Sequence, residues 1–306
     1  MTSADDYYQL ATKRNLGIVN ESEQQTLRRA RVAIPGMGGA GGIYLTTLVR
    51  MGIGHFHIAD MDTFSTVNIN RQAGAMQSTV GRLKTEVMAA MARDIHPGVD
   101  IKTFDQGIQA DNIEDFLRDV DVVVDALDVF AMSARLLLYR TARRLGKPVL
   151  FAGPLGLSAT MAVVMPGGMS FEDYFDIRDG MTPFETLIAF IVGLAPAGTH
   201  WKYMDTTRVQ ATDHAGPSSA ASLSLIAGVM GVEVLVLLLG RRAPLAVPAY
   251  SQFDPYLGTY KRGRLRWGNR GPLQRLKRWL VARKFRDQAP AFDRANWQTP
   301  AVGSAS

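Results

Sequence analysis

A glycine-rich turn between two apolar segments restricts the fold of this chain more than any other feature. Residues 36–42 read Gly-Met-Gly-Gly-Ala-Gly-Gly and lie between the apolar run 32–34 and a helical apolar pattern. A second apolar run, residues 54–59, ends at Asp60, which stands 19 residues beyond Gly41. Strand, glycine turn, helix, strand and carboxylate form the nucleotide-binding βαβ unit, where backbone N–H groups meet phosphates and the carboxylate meets ribose hydroxyls. The pattern predicts a nucleotide site at this turn, and its spacing suits NAD as readily as ATP.

Charged residues that follow Asp60 distinguish between these two nucleotides. Arg71 and Lys84 supply positive charge for a triphosphate, and Asp128, just past the apolar run 122–124, can hold Mg²⁺ at the end of a buried strand. The diphosphate of NAD needs no such set, and hydride transfer leaves Lys84 and Asp128 without a role. Structural alternatives stay open, with Lys84 as a surface lysine and Asp128 as a cap of the following helix. The residues favour MgATP, and an NAD(P)-linked oxidoreductase is the alternative.

In these segments the chain resembles the ThiF/MoeB/HesA family, relatives of ubiquitin-activating enzymes that adenylate carboxylates. The family pattern is a glycine loop, Asp-x-Asp, Asn-x-x-Arg-Gln, Gly-x-x-Lys and an Asp near a strand end, and all five occur here in that order. The resemblance implies that Arg71, Lys84 and Asp128 carry catalysis, with Asp128 as the magnesium ligand. The residues that it assigns to ATP are Gly36, Gly38, Gly39, Gly41, Asp60, Asp62, Asn68, Arg71, Gln72 and Lys84, together with Arg14, which the family passes across a dimer to the partner's ATP.

One branch of the family shares more local sequence with this chain than the others do. Residues 68–72 (Asn-Ile-Asn-Arg-Gln), 85–88 (Thr-Glu-Val-Met) and 125–128 (Asp-Ala-Leu-Asp) most resemble the enzymes that dehydrate threonylcarbamoyladenosine in tRNA. Two hypotheses therefore compete within the family. The first is an adenylyltransferase that acts on a small or peptide carboxylate, and the second is a tRNA cyclodehydratase. The acid and the acyl acceptor do not follow from the sequence.

The chain contains no cysteine. Many family members use a cysteine to hold a carrier protein as a thioester or persulfide, and two Cys-x-x-Cys pairs to bind structural zinc. Neither chemistry is available here, so an activated acyl group must pass directly to an outside nucleophile, and no zinc is expected. The lack of disulfides fits a reducing compartment, and the acidic start at residues 5–6 has no apolar signal segment, so we expect a cytoplasmic protein.

Charge is divided unevenly along the chain. Residues 241–306 carry a net charge of +11 and the preceding 240 residues a net charge of −5, within an overall +6. In residues 261–286 the basic side chains are interleaved with Trp267 and Trp279, a mixture that suits RNA, an anionic membrane surface or an acidic protein. A solvated helix that packs on its own domain is the structural alternative.

Alternating strand and helix patterns predict an α/β fold with a doubly wound, Rossmann-like, mostly parallel sheet and an antiparallel continuation at residues 159–164. The apolar run 223–239, interrupted by Glu233, predicts a core or dimer helix rather than a membrane span, and the resemblance implies a homodimer. Residues 165–216 show no pattern that we can interpret. The predicted divisions are an N-terminal helical segment (1–30), an ATP-binding region (31–165), a crossover with the closing helix and strand of the same domain (166–258) and a basic tail (259–306).

Overall fold

Eight segments of the sequence form one sheet, and helices cover both of its faces. The computed structural model describes residues 3–210 and 216–296. Its strands are β1 (Arg31–Pro35), β2 (His55–Ala59), β3 (Asp100–Phe104), β4 (Val122–Asp125), β5 (Val149–Leu155), β6 (Ser158–Val164), β7 (Ala249–Asp254) and β8 (Thr259–Arg264). Its α-helices are α1 (Ala4–Thr12), α2 (Glu21–Arg29), α3 (Gly39–Arg50), α4 (Lys84–Ile95), α5 (Ile113–Phe116), α6 (Met132–Arg144), α7 (Phe171–Phe175), α8 (Pro183–Leu194), α9 (Ala220–Leu239), α10 (Pro272–Lys284) and α11 (Ala289–Asn296).

The strands follow the order β3-β2-β1-β4-β5-β6-β7-β8 across the sheet. Strands β1 to β5 pair in parallel, whereas β6, β7 and β8 continue the sheet in antiparallel pairs. The predicted mostly parallel sheet with an antiparallel continuation is therefore confirmed. Because β1, β2 and β4 run in the same direction, their last residues Pro35, Ala59 and Asp125 meet at one edge, which we call the carboxyl edge. Ligands of open α/β sheets bind at this edge.

Alternate residues of the central strands face two separate cores. In β4, Val122 and Val124 join the core that α3, α4 and α9 cover, whereas Val123 joins the core beneath α6, α7 and α8. A period of two with apolar side chains on both faces is the pattern of a strand buried in the middle of a sheet. The sheet thus holds the carboxyl edge on a rigid support.

Helix α9 is the longest helix among the described residues. By length and composition it is the one described helix that could cross a membrane, with a mean hydropathy of 2.3, but half of that window is buried inside the fold. Its buried face, with Ile226, Met230 and Val234, packs on α3 and on the sheet. Glu233 is also buried and is bonded by the Arg242 guanidinium at 2.6 Å. The helix therefore packs as a core helix in this fold.

The crossover region, which had no interpretable pattern, contains two capped helices. Ser170 accepts a hydrogen bond from the backbone of Asp173 at the start of α7, and Thr182 does the same for Glu185 at the start of α8. Both helices pack on the second core through aromatic side chains, among them Phe175 and Phe190 with ring centroids 5.0 Å apart. Residues 211–215, among them His214, lie outside the described residues.

The N-terminal segment folds as two helices at the edge of the sheet opposite the carboxyl edge. Gly17, at φ +103°, lies between α1 and α2 and permits the turn that separates them. The Tyr8 hydroxyl donates to Gly52 O at 2.8 Å, and Asn15 Nδ2 donates to Met51 O at 3.2 Å. Both acceptors follow the C-terminal end of α3, so these bonds fix the segment there.

The basic segment that the sequence predicted as a tail from residue 259 is instead joined to the domain as far as residue 296. Its first residues form β8, which pairs with β7. Asn269 is fully buried and donates to the backbone oxygens of Phe175 and Ala189, which anchors the start of α10. Phe292 of α11 is 2% exposed and packs against α8. Residues 297–306 lie outside the described residues.

Candidate active site

The glycine turn of β1 and α3 lies at the carboxyl edge, with its backbone packed too closely for side chains at two positions. Gly36 has φ +94°, and a Cβ there would lie 2.3 Å from Ala126 O. A Cβ on Gly41 would lie 1.7 Å from Gly36 O. Helix α3 begins at Gly39 after Gly38, and no side chain caps its N-terminus. Uncapped N–H groups and the positive end of the helix dipole favour the binding of an anion at this turn, as the sequence predicted.

Asp60 ties the glycine turn to the end of β2. Its Oδ2 accepts a hydrogen bond from the backbone of Met37 at 2.7 Å, and its Oδ1 accepts one from the backbone of Asp62 at 2.9 Å. Burial raises the pKa of Asp60 above its ordinary value, while the nearby Lys84 cation acts in the opposite direction. Each carboxylate oxygen can accept more than one hydrogen bond, so Asp60 keeps capacity for a ribose hydroxyl. Its predicted role as ribose ligand stays a prediction.

Lys84 is a buried cation beside this carboxylate. Its Nζ lies 2.8 Å from Asp62 Oδ2 and 4.0 Å from Asp60 Oδ1, and its side chain is 8% exposed. Lys84 is also the first residue of α4, where a positive charge is unfavourable beside the helix dipole. The carboxylates of Asp60 and Asp62 offset this unfavourable interaction with the helix dipole and hold the ammonium group near the glycine turn. The arrangement places a cation where a nucleotide phosphate would need one.

The turn that contains residues 68–72 brings an amide side chain against the glycine loop. Gln72 is 8% exposed, and its amide lies 3.6 Å from the Cβ position of Gly38. Within the described residues, the buried Oε1 of Gln72 has no hydrogen-bond donor. A buried acceptor without a partner costs about 1–3 kcal/mol, which a donor on a ligand would recover. Gln72 and the glycine cradle therefore fit a bound nucleotide.

Two other predicted contacts of this turn are engaged locally in the structure. Asn68 is buried, and its Oδ1 accepts hydrogen bonds from the backbone and hydroxyl of Ser65, so it stabilises the turn. Arg71 donates to Val67 O and to Asn70 Oδ1, both at 2.9 Å. No carboxylate among the described residues forms an ion pair with Arg71. Its charge is therefore not neutralised by the neighbouring Asp side chains.

Asp128 is exposed beyond β4, as expected for a residue past a buried strand. Its Oδ1 accepts a hydrogen bond from the backbone of Phe130 at 2.9 Å. No three His, Asp or Glu side chains converge on a metal position within residues 3–210 and 216–296. Mg²⁺ commonly takes one or two carboxylates together with phosphates and water, so a single Asp128 is compatible with it.

A buried arginine that the sequence did not reveal holds the loop that carries Asp128. Arg135 of α6 is 2% exposed, and its Nε lies 2.8 Å from Asp125 Oδ2. The same guanidinium donates to Leu127 O at 2.7 Å and to Asp128 O at 3.1 Å. Asp125 is thus a structural carboxylate, and Arg135 fixes the backbone from 125 to 128. Helix α6 contains four arginines, and no feature of the sequence singles out Arg135 among them.

We expect Arg135→Met to destabilise the protein by about 3–5 kcal/mol, because it leaves the buried Asp125 carboxylate without its partner. Arg140→Met is the matched control on the same helix, since Arg140 is 58% exposed and pairs with Glu172 at the surface. That variant should lose no more than about 1 kcal/mol. Urea unfolding of both variants measures the difference. Equal losses in the free energy of unfolding would show that the buried ion pair stabilises the protein no more than the surface pair does.

Arg14 is not part of the site within its own chain. It is exposed in a short 3₁₀ turn, Lys13–Asn15, that packs near Met51 beyond the far end of α3. Helix α3 has 12 residues, so its length of about 18 Å separates this turn from the glycine loop. Arg14 can therefore serve a nucleotide only in another copy of the chain, which stays a prediction.

A second group of buried polar side chains lies at the same edge, on the antiparallel strands. Gln252 of β7 donates to Ser158 Oγ at 2.9 Å and lies 3.5 Å from His200 Nδ1. Burial lowers the pKa of His200 to about 4, so the imidazole is neutral near pH 7. The Tyr203 hydroxyl donates to Asp254 Oδ2 at 3.2 Å. The sequence gave no pattern for this group, because its members come from separate segments.

Comparison with models of known families matches residues 10–271 to the ThiF family. The chain belongs to the ThiF family. Among curated proteins it is 40% identical over 114 residues to the tRNA threonylcarbamoyladenosine dehydratase of Haemophilus influenzae, covering 37% of this chain and 44% of the relative. It is 32% identical over 151 residues to the sulfur carrier protein ThiS adenylyltransferase of Bacillus subtilis, covering 49% of this chain and 44% of the relative. The matches thus span less than half the length of these two relatives, both of which are named as enzymes.

Solved structures share the fold at low sequence identity. PaaA superposes with a TM-score of 0.61 at 19% identity, covering 86% of this chain and 72% of PaaA. Escherichia coli MccB, in a structure with ATP, superposes with a TM-score of 0.59 at 18% identity, covering 82% of this chain and 66% of MccB. The Escherichia coli tRNA threonylcarbamoyladenosine dehydratase gives 0.55 at 19% identity, covering 79% of this chain and all of that chain. These likenesses support the ThiF-type fold assigned above.

Proposed function

We propose that this ThiF-family chain is an ATP-dependent adenylyltransferase that activates a carboxylate and releases pyrophosphate. The observation that carries the proposal is the buried Lys84 ammonium group, held by Asp62 and Asp60 beside the glycine turn. The diphosphate of NAD is held by the backbone N–H groups of the turn, and its ribose by the carboxylate, without such a cation. A triphosphate needs positive charge beyond the first phosphate, which Lys84 and Arg71 supply.

In the proposed reaction, an oxygen of the substrate carboxylate attacks the α-phosphorus of ATP. The bond from that phosphorus to the bridging oxygen of the β-phosphate breaks, and its electron pair leaves with pyrophosphate. The N–H groups of the glycine turn, Lys84 and Arg71 stabilise the charge on the phosphate oxygens. Asp128 would hold Mg²⁺, which adds positive charge at the same phosphates. Arg135 orients the Asp128 loop through its bonds to two backbone oxygens.

In the next step the acyl group is transferred without forming a thioester intermediate on this chain. The chain has no cysteine, so it cannot form the thioester or persulfide of other family members. An external nucleophile, or an internal one of the substrate, instead attacks the acyl carbon of the acyl-adenylate; the bond from that carbon to the phosphate oxygen breaks, and AMP leaves with its electron pair. We place this reaction in the cytoplasm, where reduced conditions suit a chain without disulfides.

Nucleotide selectivity tests this proposal against an NAD(P)-linked oxidoreductase. We expect MgATP at a hundred times its Kd to stabilise the folded protein by about 2.7 kcal/mol and to raise its Tm, whereas NADH and NADPH should not. Lys84→Met, which removes the ammonium group and keeps an apolar side chain of similar length, should reduce the MgATP shift. Stabilisation by NADH without any response to MgATP would exclude adenylation.

A tRNA cyclodehydratase is the second candidate, and the identity to the Haemophilus influenzae dehydratase favours it. In that reaction the activated carboxylate is carried by a tRNA nucleoside, and an internal nucleophile of the same nucleoside closes a ring. Dependence on tRNA separates the two candidates. If AMP forms only when tRNA bearing threonylcarbamoyladenosine is present, the protein is a tRNA cyclodehydratase, and a small or peptide acid is not its substrate. AMP formation with a free acid and no tRNA supports the first.

We also propose that the chain acts as a homodimer. Helix α9 exposes an apolar strip on the side away from the sheet, with Val232 57% exposed and Leu225, Val229 and Leu235 partly exposed. A strip of this kind suits contact with a second copy. A dimer would also give Arg14 access to a site, since it lies far from the glycine turn of its own chain.

Mixed dimers test this crossing. We expect Arg14→Ala and Lys84→Ala homodimers to lose activity, and a mixture of the two chains to regain it, because one site of each mixed dimer is then intact. Arg29→Ala, at another exposed arginine, is the matched control and should stay active by itself. Sedimentation measures the dimer in parallel. An active monomer, or mixtures that regain nothing, would refute the crossing.

A further inference from the structure

Helix α10 exposes a row of large apolar side chains that the proposed reaction does not use. Leu273 is 62% exposed, and Leu276 and Leu280 are each 52% exposed. Their spacing of three and four residues places them on one face of the helix. Trp279, 54% exposed, lies beside them. We call these four residues the α10 strip. Neighbouring exposed apolar residues of this size mark a surface that contacts another apolar phase.

The opposite face of α10 is bound firmly to the domain, so the strip cannot turn inward. Gln274 and Val281 are buried, and Gln274 donates to Asn269 Oδ1 at 3.0 Å. Arg278 pairs with the buried Asp176 at 2.6 Å. Lys277 donates to Pro196 O at 2.5 Å. These contacts fix the rotation of the helix about its axis and keep the strip facing outward.

Exposed cations lie beside the strip on α10 itself. Arg275 and Arg283 are exposed on the same helix, and Arg283 lies over the Trp279 ring at 5.5 Å. Lys261, Arg262, Arg264 and Arg266, in and after β8, are also exposed. The C-terminal segment has a net charge of +11, against −5 for the rest of the chain. The exposed arginines beside the strip, in a segment of this net charge, complement an anionic surface, and such a surface would repel the acidic remainder of the chain.

A cavity beside the strip adds depth to this surface. Its volume is about 300 Å³, and its lining includes Val192, Trp201 and Leu280, with Lys277 and Lys284. Apolar walls with two lysines suit a ligand that has a hydrocarbon part and a negatively charged head. Leu280 belongs both to the strip and to the wall, so the two features are continuous.

We propose that the α10 strip and this cavity dock the protein on an anionic phospholipid surface. Leucine and tryptophan enter the boundary between head groups and acyl chains, while arginine and lysine remain with the phosphates. RNA fits this surface less well, because single-stranded nucleic acids are bound by stacking and by polar contacts, to which three leucines contribute nothing. Docking would hold the carboxyl edge close to a membrane and is independent of the proposed reaction.

Vesicle co-sedimentation of the full chain tests the proposal. We expect binding to vesicles of phosphatidylcholine with phosphatidylglycerol to be at least about tenfold tighter than binding to phosphatidylcholine alone, and to weaken as salt is added. The double variant Leu273→Ser and Leu276→Ser should bind the anionic vesicles at least about tenfold more weakly than the parent, because it lacks two side chains that enter the lipid. The double variant Arg275→Glu and Arg283→Glu should bind these vesicles more weakly by a similar factor. The double variant Arg275→Lys and Arg283→Lys keeps both charges and should bind like the parent.

Arg29→Glu with Arg118→Glu changes charge equally at exposed sites on the acidic part of the chain and should bind like the parent. Thermal unfolding with MgATP confirms that every variant is folded. Three results would overturn the proposal: equal binding to both vesicle types, binding to tRNA but to neither vesicle, or no vesicle binding together with a dimer that Leu273→Ser and Leu276→Ser dissociate. The last result would assign the strip to a second copy of the chain.

Discussion

Replacing Asp128 by alanine should reduce the rate of AMP formation by two orders of magnitude or more while the fold survives. The side chain is exposed, and its one hydrogen bond within the described residues is the local contact from Phe130 N. Its removal therefore leaves the core unchanged. Loss of one electrostatic group that acts on the transition state costs on the order of 3 kcal/mol, which corresponds to a factor of about a hundred.

Asp105→Ala is the matched control for this prediction. Asp105 is also an exposed aspartate just past a strand at the carboxyl edge, since it follows the last residue of β3. It should keep the turnover of the parent, because β3 lies two strands from the glycine turn. Steady-state AMP formation, with the Mg²⁺ concentration varied, measures both variants. An Asp128→Ala protein with the parent rate would remove this residue from the mechanism.

The second large effect concerns the glycine turn, where alanine substitutions at two neighbouring glycines should differ in their effect on stability. A Cβ on Gly41 would lie 1.7 Å from the backbone oxygen of Gly36, so Gly41→Ala must displace the turn. A Cβ on Gly42 would meet the flexible end of Met88 at 3.4 Å and Met37 O at an ordinary contact distance of 3.7 Å. Both positions are helical in α3. Because alanine favours a helix over glycine by up to about 1 kcal/mol, Gly42→Ala should be neutral or stabilising.

We expect Gly41→Ala to lower the Tm and to abolish the Tm increase with MgATP, whereas Gly42→Ala should preserve both. Thermal unfolding with and without MgATP compares the two variants directly. The comparison separates a loss of glycine flexibility from a steric effect, because the two substitutions have the same chemistry. A Gly41→Ala protein that still responds fully to MgATP would contradict the close approach of Gly36 and Gly41.

Residues whose role depends on spacing along the chain could be predicted from the sequence. The glycine turn and Asp60 belong to consecutive elements of one βαβ unit, so a short pattern locates them together. Lys84 and Asp128 follow at fixed positions after a loop and a strand. The structure places Lys84 beside Asp60 and Asp62, and it places Asp128 at the same edge of the sheet.

Residues whose role depends on a distant partner could not be predicted in this way. Arg135 interacts with Asp125 ten positions earlier, and nothing in the helix pattern shows that its guanidinium turns inward. Strand β8 has no apolar face, and the sequence Thr-Tyr-Lys-Arg-Gly-Arg is typical of a solvated segment. Its backbone becomes a strand because β7 offers an unpaired edge. The role proposed for Arg14 requires a second chain, so neither the sequence nor the structure of one chain tests it.

Exchange of labelled pyrophosphate into ATP is the most direct test of the central claim. The reverse of adenylation forms ATP from pyrophosphate and the acyl-adenylate, so exchange should appear with Mg²⁺ and a competent carboxylate, and the other product of turnover should be AMP. A panel of amino acids, peptides with free C-termini and tRNA bearing threonylcarbamoyladenosine would identify the acid. Turnover that yields ADP and phosphate, or oxidises NADH, in place of AMP and pyrophosphate would contradict the account.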